Sequence, residues 1–218
     1  MGQKYITVTG VDESTKLEDI QNLLDQPNTE VGFLYTKDPE GRHRYPSRDW
    51  LTKALPLLKG RKALHICGGR AREELFFGVL DDLVEHVWRI QVNGGFKNIL
   101  EVYEICNRFK HHDIITQHNT KNDYLRSVPY ANHMILVDGS GGRGISPEVW
   151  TRPVCTQITG YAGGMGPDNI LTELPKIDQI AQANYWIDME GKLRSEDDWF
   201  QCSLALDVIN KFNQFLKK

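Results

Sequence analysis

Cysteine is scarce in this 218-residue chain: Cys67, Cys106, Cys155 and Cys202 stand far apart, with no CxxC pair. That spacing argues against both a disulfide framework and a zinc site, and it fits reduced thiols. Long apolar runs are missing too, and none approaches the roughly 20 residues a membrane helix needs. Charge of one sign is not in excess. With 26 Lys+Arg against 29 Asp+Glu, the formal net charge is -3, which excludes the basic excess of a nonspecific nucleic-acid binder. The opening Met-Gly-Gln-Lys-Tyr-Ile has no secretory character, so a cytoplasmic location is expected. No linker or low-complexity segment divides the chain. No GxGxxG follows the first apolar run, so an open dinucleotide-binding sheet lacks its fingerprint. Asp188 and Glu190 are near neighbours but lack histidines at ligand spacing, and neither metal nor cofactor is expected.

What is present is a regular series. Short β-branched and aromatic runs bounded by turn residues fall at 5–9, 30–35, 62–67, 86–92, 113–117, 133–138, 156–160 and 184–188. Helical patterns lie between them at 16–25, 47–58, 71–84, 96–109 and 168–181, and another follows at 195–216. The stretch 139–154 is the least regular. Eight strands alternating with helices predict an α/β fold in which a parallel sheet closes into a single (β/α)8 TIM barrel over residues 1–218. Such barrels place their active sites where the strands end at the C-terminal face.

Those ends carry the candidate site residues. Tyr161-Ala-Gly-Gly-Met-Gly-Pro-Asp-Asn-Ile170 follows the seventh strand. Its glycines let a ligand approach bare backbone N–H groups ahead of a helix N-terminus, which is a generic anion site. A Gly-Gly pair also serves an ordinary tight turn, so its place in the series is what makes it informative. Asp138 ends the apolar strand His133-Met-Ile-Leu-Val137 and opens Gly139-Ser-Gly-Gly-Arg-Gly144, where a carboxylate can work as general acid or base. Arg44, in the polar turn after strand two, offers a planar fork for carboxylate or phosphate. Cys67 precedes Gly68-Gly69-Arg70, where a nearby cation would favour a thiolate, although a strand-end cysteine also serves as a small buried hydrophobe. His118 is a further candidate at the end of strand five.

Taken in order, these residues resemble the phosphoribosylanthranilate isomerase family. Val8-Thr-Gly-Val-Asp-Glu-Ser-Thr-Lys-Leu-Glu-Asp19 is similar to the family's opening Lys-Ile-Cys-Gly-Ile-Thr…Glu-Asp segment. Val31-Gly-Phe-Leu-Tyr35 with Arg44-Tyr45, Ile90-Gln-Val-Asn-Gly94 and Leu136-Val-Asp-Gly-Ser-Gly-Gly-Arg-Gly144 resemble its later motifs. Ala162-Gly-Gly-Met-Gly-Pro-Asp-Asn-Ile170 is the most specific likeness. The resemblance implies a (β/α)8 isomerase that opens a ribose ring by an Amadori rearrangement. It implies Asp138 as general acid and Arg44 as the carboxylate-binding arginine. Asn93, Asp188, Glu190 and the loop residues Gly141 and Gly142 would contact substrate, and Gly163, Gly164 and Gly191 would hold its phosphate.

The chain departs from the family at the base. The cysteine position is Thr9, whose hydroxyl does not ionise near neutral pH; Thr9, Cys67 and His118 are therefore the candidates considered for that role. Glu190 stands where the family has serine, near the expected phosphate. The expected ligand is a small phosphorylated compound, with neither nucleic acid nor membrane as partner, bound by a monomer or homodimer. Two alternatives stay open: a hydrolase or lyase acting on a nucleotide-like ligand through Glu190, and a non-catalytic ligand-binding barrel.

Overall fold

The computed structural model describes residues 3–96, 98–118, 125, 128–138, 144–153 and 158–217. Eight strands form one closed parallel barrel in sequence order. They are β1 (Lys4–Thr9), β2 (Thr29–Thr36), β3 (Lys62–Cys67), β4 (Arg89–Asn93), β5 (Asp113–His118), β6 (His133–Asp138), β7 (Thr159–Ala162) and β8 (Tyr185–Met189). Outside them lie α1 (Leu17–Leu24), α2 (Arg48–Ala54), α3 (Gly69–Phe76), α4 (Asp81–Val84), α5 (Ile99–Arg108), α6 (Ile170–Ile180) and α7 (Cys202–Leu216). The barrel closes through β1 and β8, where Tyr5 pairs with Trp186 and Thr7 with Asp188.

Strand parity sorts the side chains. Ile6, Val8, Val31, Phe33, Leu64, Ile66, Ile90 and Val92 join the helices in the main core. Tyr5, Ile115, Met134, Leu136 and Trp186 pack together as a separate apolar layer of the barrel interior. Because both faces are covered, the strands read as nearly continuous buried runs. Gly160 is needed for that interior, since a Cβ there would overlap the Trp186 indole.

Local signals set several helix ends. Ser47 caps α2 by accepting from the Trp50 amide at 3.2 Å, and Asn98 caps α5 from Leu100 at 2.9 Å. Lys62, buried at the start of β3, donates to the carbonyls of Leu55 and Leu58 at 2.7 and 2.6 Å, just beyond the end of α2. Orphan carbonyls at a helix end attract such a cation.

Some boundaries differ from the sequence reading. The predicted fourth strand begins at Arg89, not at position 86, because 85–87 form the turn that ends α4. The helical pattern at 71–84 is two helices, broken at Gly78, whose φ of 80° is left-handed. The last helix starts at Cys202. The acidic residues at 196–198 lie ahead of it in a turn held by Asp198 N–H to the Ser195 carbonyl at 3.0 Å.

Candidate active site

At the C-terminal mouth lies a cavity of about 370 Å³. Its lining draws on strands around the barrel: Arg44 beyond β2, His65, Gln91 and Asn93, Gln117, Leu136 and Asp138, Ala162, Gly163 and Gly164, and Asp188 to Lys192.

Register brings two carboxylates to one level. Asp138 pairs with Ala162, and Ala162 pairs with Asp188, so both acids flank β7 on the inner wall. Two strand spacings put their Cα atoms about 10 Å apart, with the side chains converging on the cavity. Both are buried. Thr9 Oγ1 donates to Asp188 Oδ1 at 2.7 Å. Burial pushes the Asp188 carboxyl up to about 7, against the Thr9 hydrogen bond, which favours the charged form.

Cys67 behaves as a buried thiol. Burial pushes it up to about 12, outweighing the opposing hydrogen bond from Asn93 Nδ2, 3.3 Å from its sulfur. His118 is not among the cavity-lining residues. It shares strand parity with Ile114, which packs in the outer core, whereas its neighbour Gln117 faces the cavity.

Glu190, Arg44 and Asp198 form a chain of charges. Arg44 Nη1 lies 2.6 Å from Glu190 Oε1, while Nη2 and Nε reach Asp198 Oδ1 and Oδ2 at 2.6 and 3.2 Å. The arginine fork is therefore already matched by two carboxylates of the protein itself. Arg194 is likewise engaged, with Asp12 at 3.0 Å, Asp198 at 2.8 Å and the Gly10 carbonyl. The cavity's described cations are Arg44 and Lys192; Lys192 follows Gly191, and a Cβ on Gly166 would overlap its side chain.

The glycine pair has a packing role as well. Gly163 and Gly164 have φ of 133° and 57°, and a Cβ on Gly164 would overlap Ser146, so the 144–147 segment lies directly on this turn. Asn169 braces it, accepting from Gly166 N–H at 2.9 Å and donating to the Gly164 carbonyl at 3.0 Å. Gly141 and Gly142, expected to contact substrate, lie outside the described residues.

His65 is a cavity residue that no sequence motif pointed to, whereas Gln91 stands near the end of strand four, in the Ile90-Gln-Val-Asn-Gly94 likeness, with no role assigned to it. Both are buried inside strands, yet both line the cavity. The signal lies in strand parity: His65 stands between Leu64 and Ile66, and Gln91 between Ile90 and Val92, so each polar residue faces the side opposite its apolar neighbours. Among the described residues no cluster of metal-ligating side chains occurs, and no helix is long and apolar enough to cross a membrane.

No protein-family model matches the chain, and no curated protein matches it. Solved structures do. A phosphoribosyl anthranilate isomerase from Thermus thermophilus superposes with a TM-score of 0.70 at 14% identity, over 97% of this chain and 99% of that one. One from Thermotoga maritima gives 0.66 at 16% identity, over 99% and 100%. A phosphoribosyl anthranilate isomerase in complex with reduced 1-(o-carboxyphenylamino)-1-deoxyribulose 5-phosphate gives 0.68 at 15%, over 98% and 100%. Over nearly its whole length, then, this chain has the (β/α)8 barrel fold of the phosphoribosylanthranilate isomerase structures.

Proposed function

We propose that this barrel isomerises a phosphorylated ribosyl compound by acid–base chemistry, with Asp138 as the acid and Asp188 as the base. The observation that carries this reading is the pair of buried carboxylates flanking β7 on one cavity wall. Converting an aldose-type ribosyl compound to its ketose form needs a proton delivered to the ring oxygen as the ring opens. Ring opening leaves a C1–heteroatom double bond. Removal of the C2 proton then moves its electron pair into the C1–C2 bond while the C1–heteroatom π pair passes to the heteroatom. The resulting enol becomes the ketose as C1 gains a proton and the C2 hydroxyl loses one. Asp138 delivers the proton to the ring oxygen and Asp188 removes the one on C2. The reaction is redox-neutral and calls on no further reagent.

Environment supports the division of labour. A carboxyl held near 7 is matched to general-base work at neutral pH, and the Thr9 hydroxyl steadies its charged form. Thr9 thus serves as a positioning residue beside a base on β8. The phosphate is assigned to the part of the cavity lined by Gly163, Gly164, Gly191 and Lys192, where backbone N–H groups and a cation are available.

The test is turnover of phosphoribosylanthranilate and of ribose 5-phosphate by the wild type, Asp138→Asn and Asp188→Asn. Loss of about 10²-fold or more in kcat for each variant is expected where a general acid or base is removed. Activity should rise with pH through about 7 as Asp188 ionises. Full turnover in both variants would sink the reading.

The Arg44–Glu190 ion pair favours one second reading. It holds a carboxylate at the cavity edge and occupies the arginine that would otherwise meet a substrate acid. In a hydrolase or lyase acting on a nucleotide-like ligand, Glu190 is the working group, and Glu190→Gln abolishes turnover. In the isomerase it does not.

A further inference from the structure

The cavity floor contains two polar atoms with nothing to bond. His65 Nε2 and Gln91 Oε1 have no hydrogen-bond partner among the described residues, and the two side chains are 1% and 2% exposed. Buried polar groups are almost always paired, so an unmatched set lining a cavity points to what enters it.

The chemistry of the missing partner follows from the network. Gln91 Nε2 lies 3.0 Å from Asn93 Oδ1, which can only accept, and 3.2 Å from His65 Nδ1. Asn93 in turn directs its amide nitrogen at Cys67 Sγ. This chain orients the Gln91 amide with its NH2 toward His65 and its oxygen free. His65 Nδ1 is therefore the accepting nitrogen. Burial, aided by the Arg89 charge, holds the ring neutral, so its proton sits on Nε2. Gly32 leaves room for that arrangement: a Cβ there would overlap Thr9 Oγ1 and come within 3.0 Å of His65 Nε2.

The floor thus offers one donor and one acceptor. We propose that His65 and Gln91 form a hydroxyl-reading subsite, in which His65 Nε2–H donates to, and Gln91 Oε1 accepts from, an alcohol group of the ligand. A carboxylate or phosphate would set acceptor against the Gln91 oxygen, and an ammonium would set donor against His65. The subsite therefore selects an uncharged, hydroxylated end and leaves the anionic end at Gly163, Gly164 and Lys192. His65 and Gln91 are specificity-determining residues, and Asn93 orients Gln91. This inference rests on the phosphosugar reading for the identity of the ligand, but not on the reaction.

The experiment is calorimetric binding of ribose 5-phosphate and its 2-deoxy and 3-deoxy analogues to the wild type, His65→Leu, Gln91→Met and the double variant. At least one deoxy analogue should bind the wild type about tenfold or more weakly, because removing the hydroxyl leaves buried groups unpaired. Each single variant should narrow that gap and the double variant should close it. The 15N resonance of His65 Nε2 in the wild type, which needs no variant to fold, should move with ribose 5-phosphate and not with the discriminated analogue. Equal wild-type affinities, or a gap that survives both substitutions, overturns the subsite. If no sugar phosphate binds, the phosphosugar reading falls separately, and ribitol, an uncharged polyol, decides the floor. Ribitol binding weakened in the double variant upholds it; binding that is unchanged or absent overturns it.

Discussion

The two ends of the barrel interior are both polar, but they hold their buried charge differently: one pairs it and the other does not. At the N-terminal end Arg89 is fully enclosed. It pairs with Glu30 at 2.5 and 2.9 Å, bonds the Tyr5 hydroxyl, and lies 4.5 Å from the centre of the Trp186 ring. Thr7 adds a hydrogen bond to Glu30 at 3.0 Å. At the C-terminal end, His65 and Gln91 keep unmatched atoms, and Asp188 is held where its charge is costly. A buried charge that is fully paired belongs to the scaffold. An unpaired buried polar group is a cost that a ligand can remove only where a cavity meets it, as at His65 and Gln91. Trp186 Nε1, packed against Tyr5 and Arg89, is also unpaired among the described residues but does not line the cavity at the mouth.

Breaking the buried Arg89–Glu30 pair should have the largest effect. Glu30→Gln leaves the Arg89 charge buried without its counter-ion and should cost about 3–5 kcal/mol of stability in denaturant unfolding. Removing both partners, as in Glu30→Leu with Arg89→Met, should restore most of that loss. If Glu30→Gln alone is nearly neutral, the contrast between the two ends fails.

An intermediate effect is expected at Asp188, with a definite sign. Its folded-state pKa, about 7, lies above that of an unfolded aspartate, so the native protein holds an extra proton between roughly pH 4 and pH 7. Stability contributed by this group is therefore full below that window and is lost as pH rises through it. Asp188→Asn should flatten that decline in melting temperature measured across the window. An unchanged slope would mean that Asp188 is ionised at little cost.

The smallest effect belongs to the rim. Arg44 and Glu190 are each about a third exposed, with side-chain exposures of 30% and 31%, so Glu190→Gln should change stability by about 1 kcal/mol or less. Ligand affinity should move instead. A large loss of stability would make this ion pair part of the scaffold.

Much of the site was legible in the sequence, because strand ends define a barrel's mouth. Asp138 and the Gly163–Gly164 turn stand where the eightfold alternation puts them, and both line the cavity. Parity was the weaker step. His118 and Gln117 are adjacent in sequence, and only register with β6, where His118 pairs with Val137, decides which of them faces the cavity. Cys67 beside glycines and Arg70 leaves an activated thiol and a small buried hydrophobe both open; Arg70 reaches outward to Asp38 at 2.7 Å and burial keeps the thiol protonated, which favours the second.

By itself, the sequence determined the barrel, its order of strands and the level at which chemistry can occur. Periodicity and turn residues are local properties that each segment carries alone. Tertiary structure decided the partnerships: Thr9 with Asp188, Arg44 with Glu190, and His65 with Gln91. Each joins residues 26 or more positions apart, and whether a buried group is paired depends on where the closed sheet brings its neighbour.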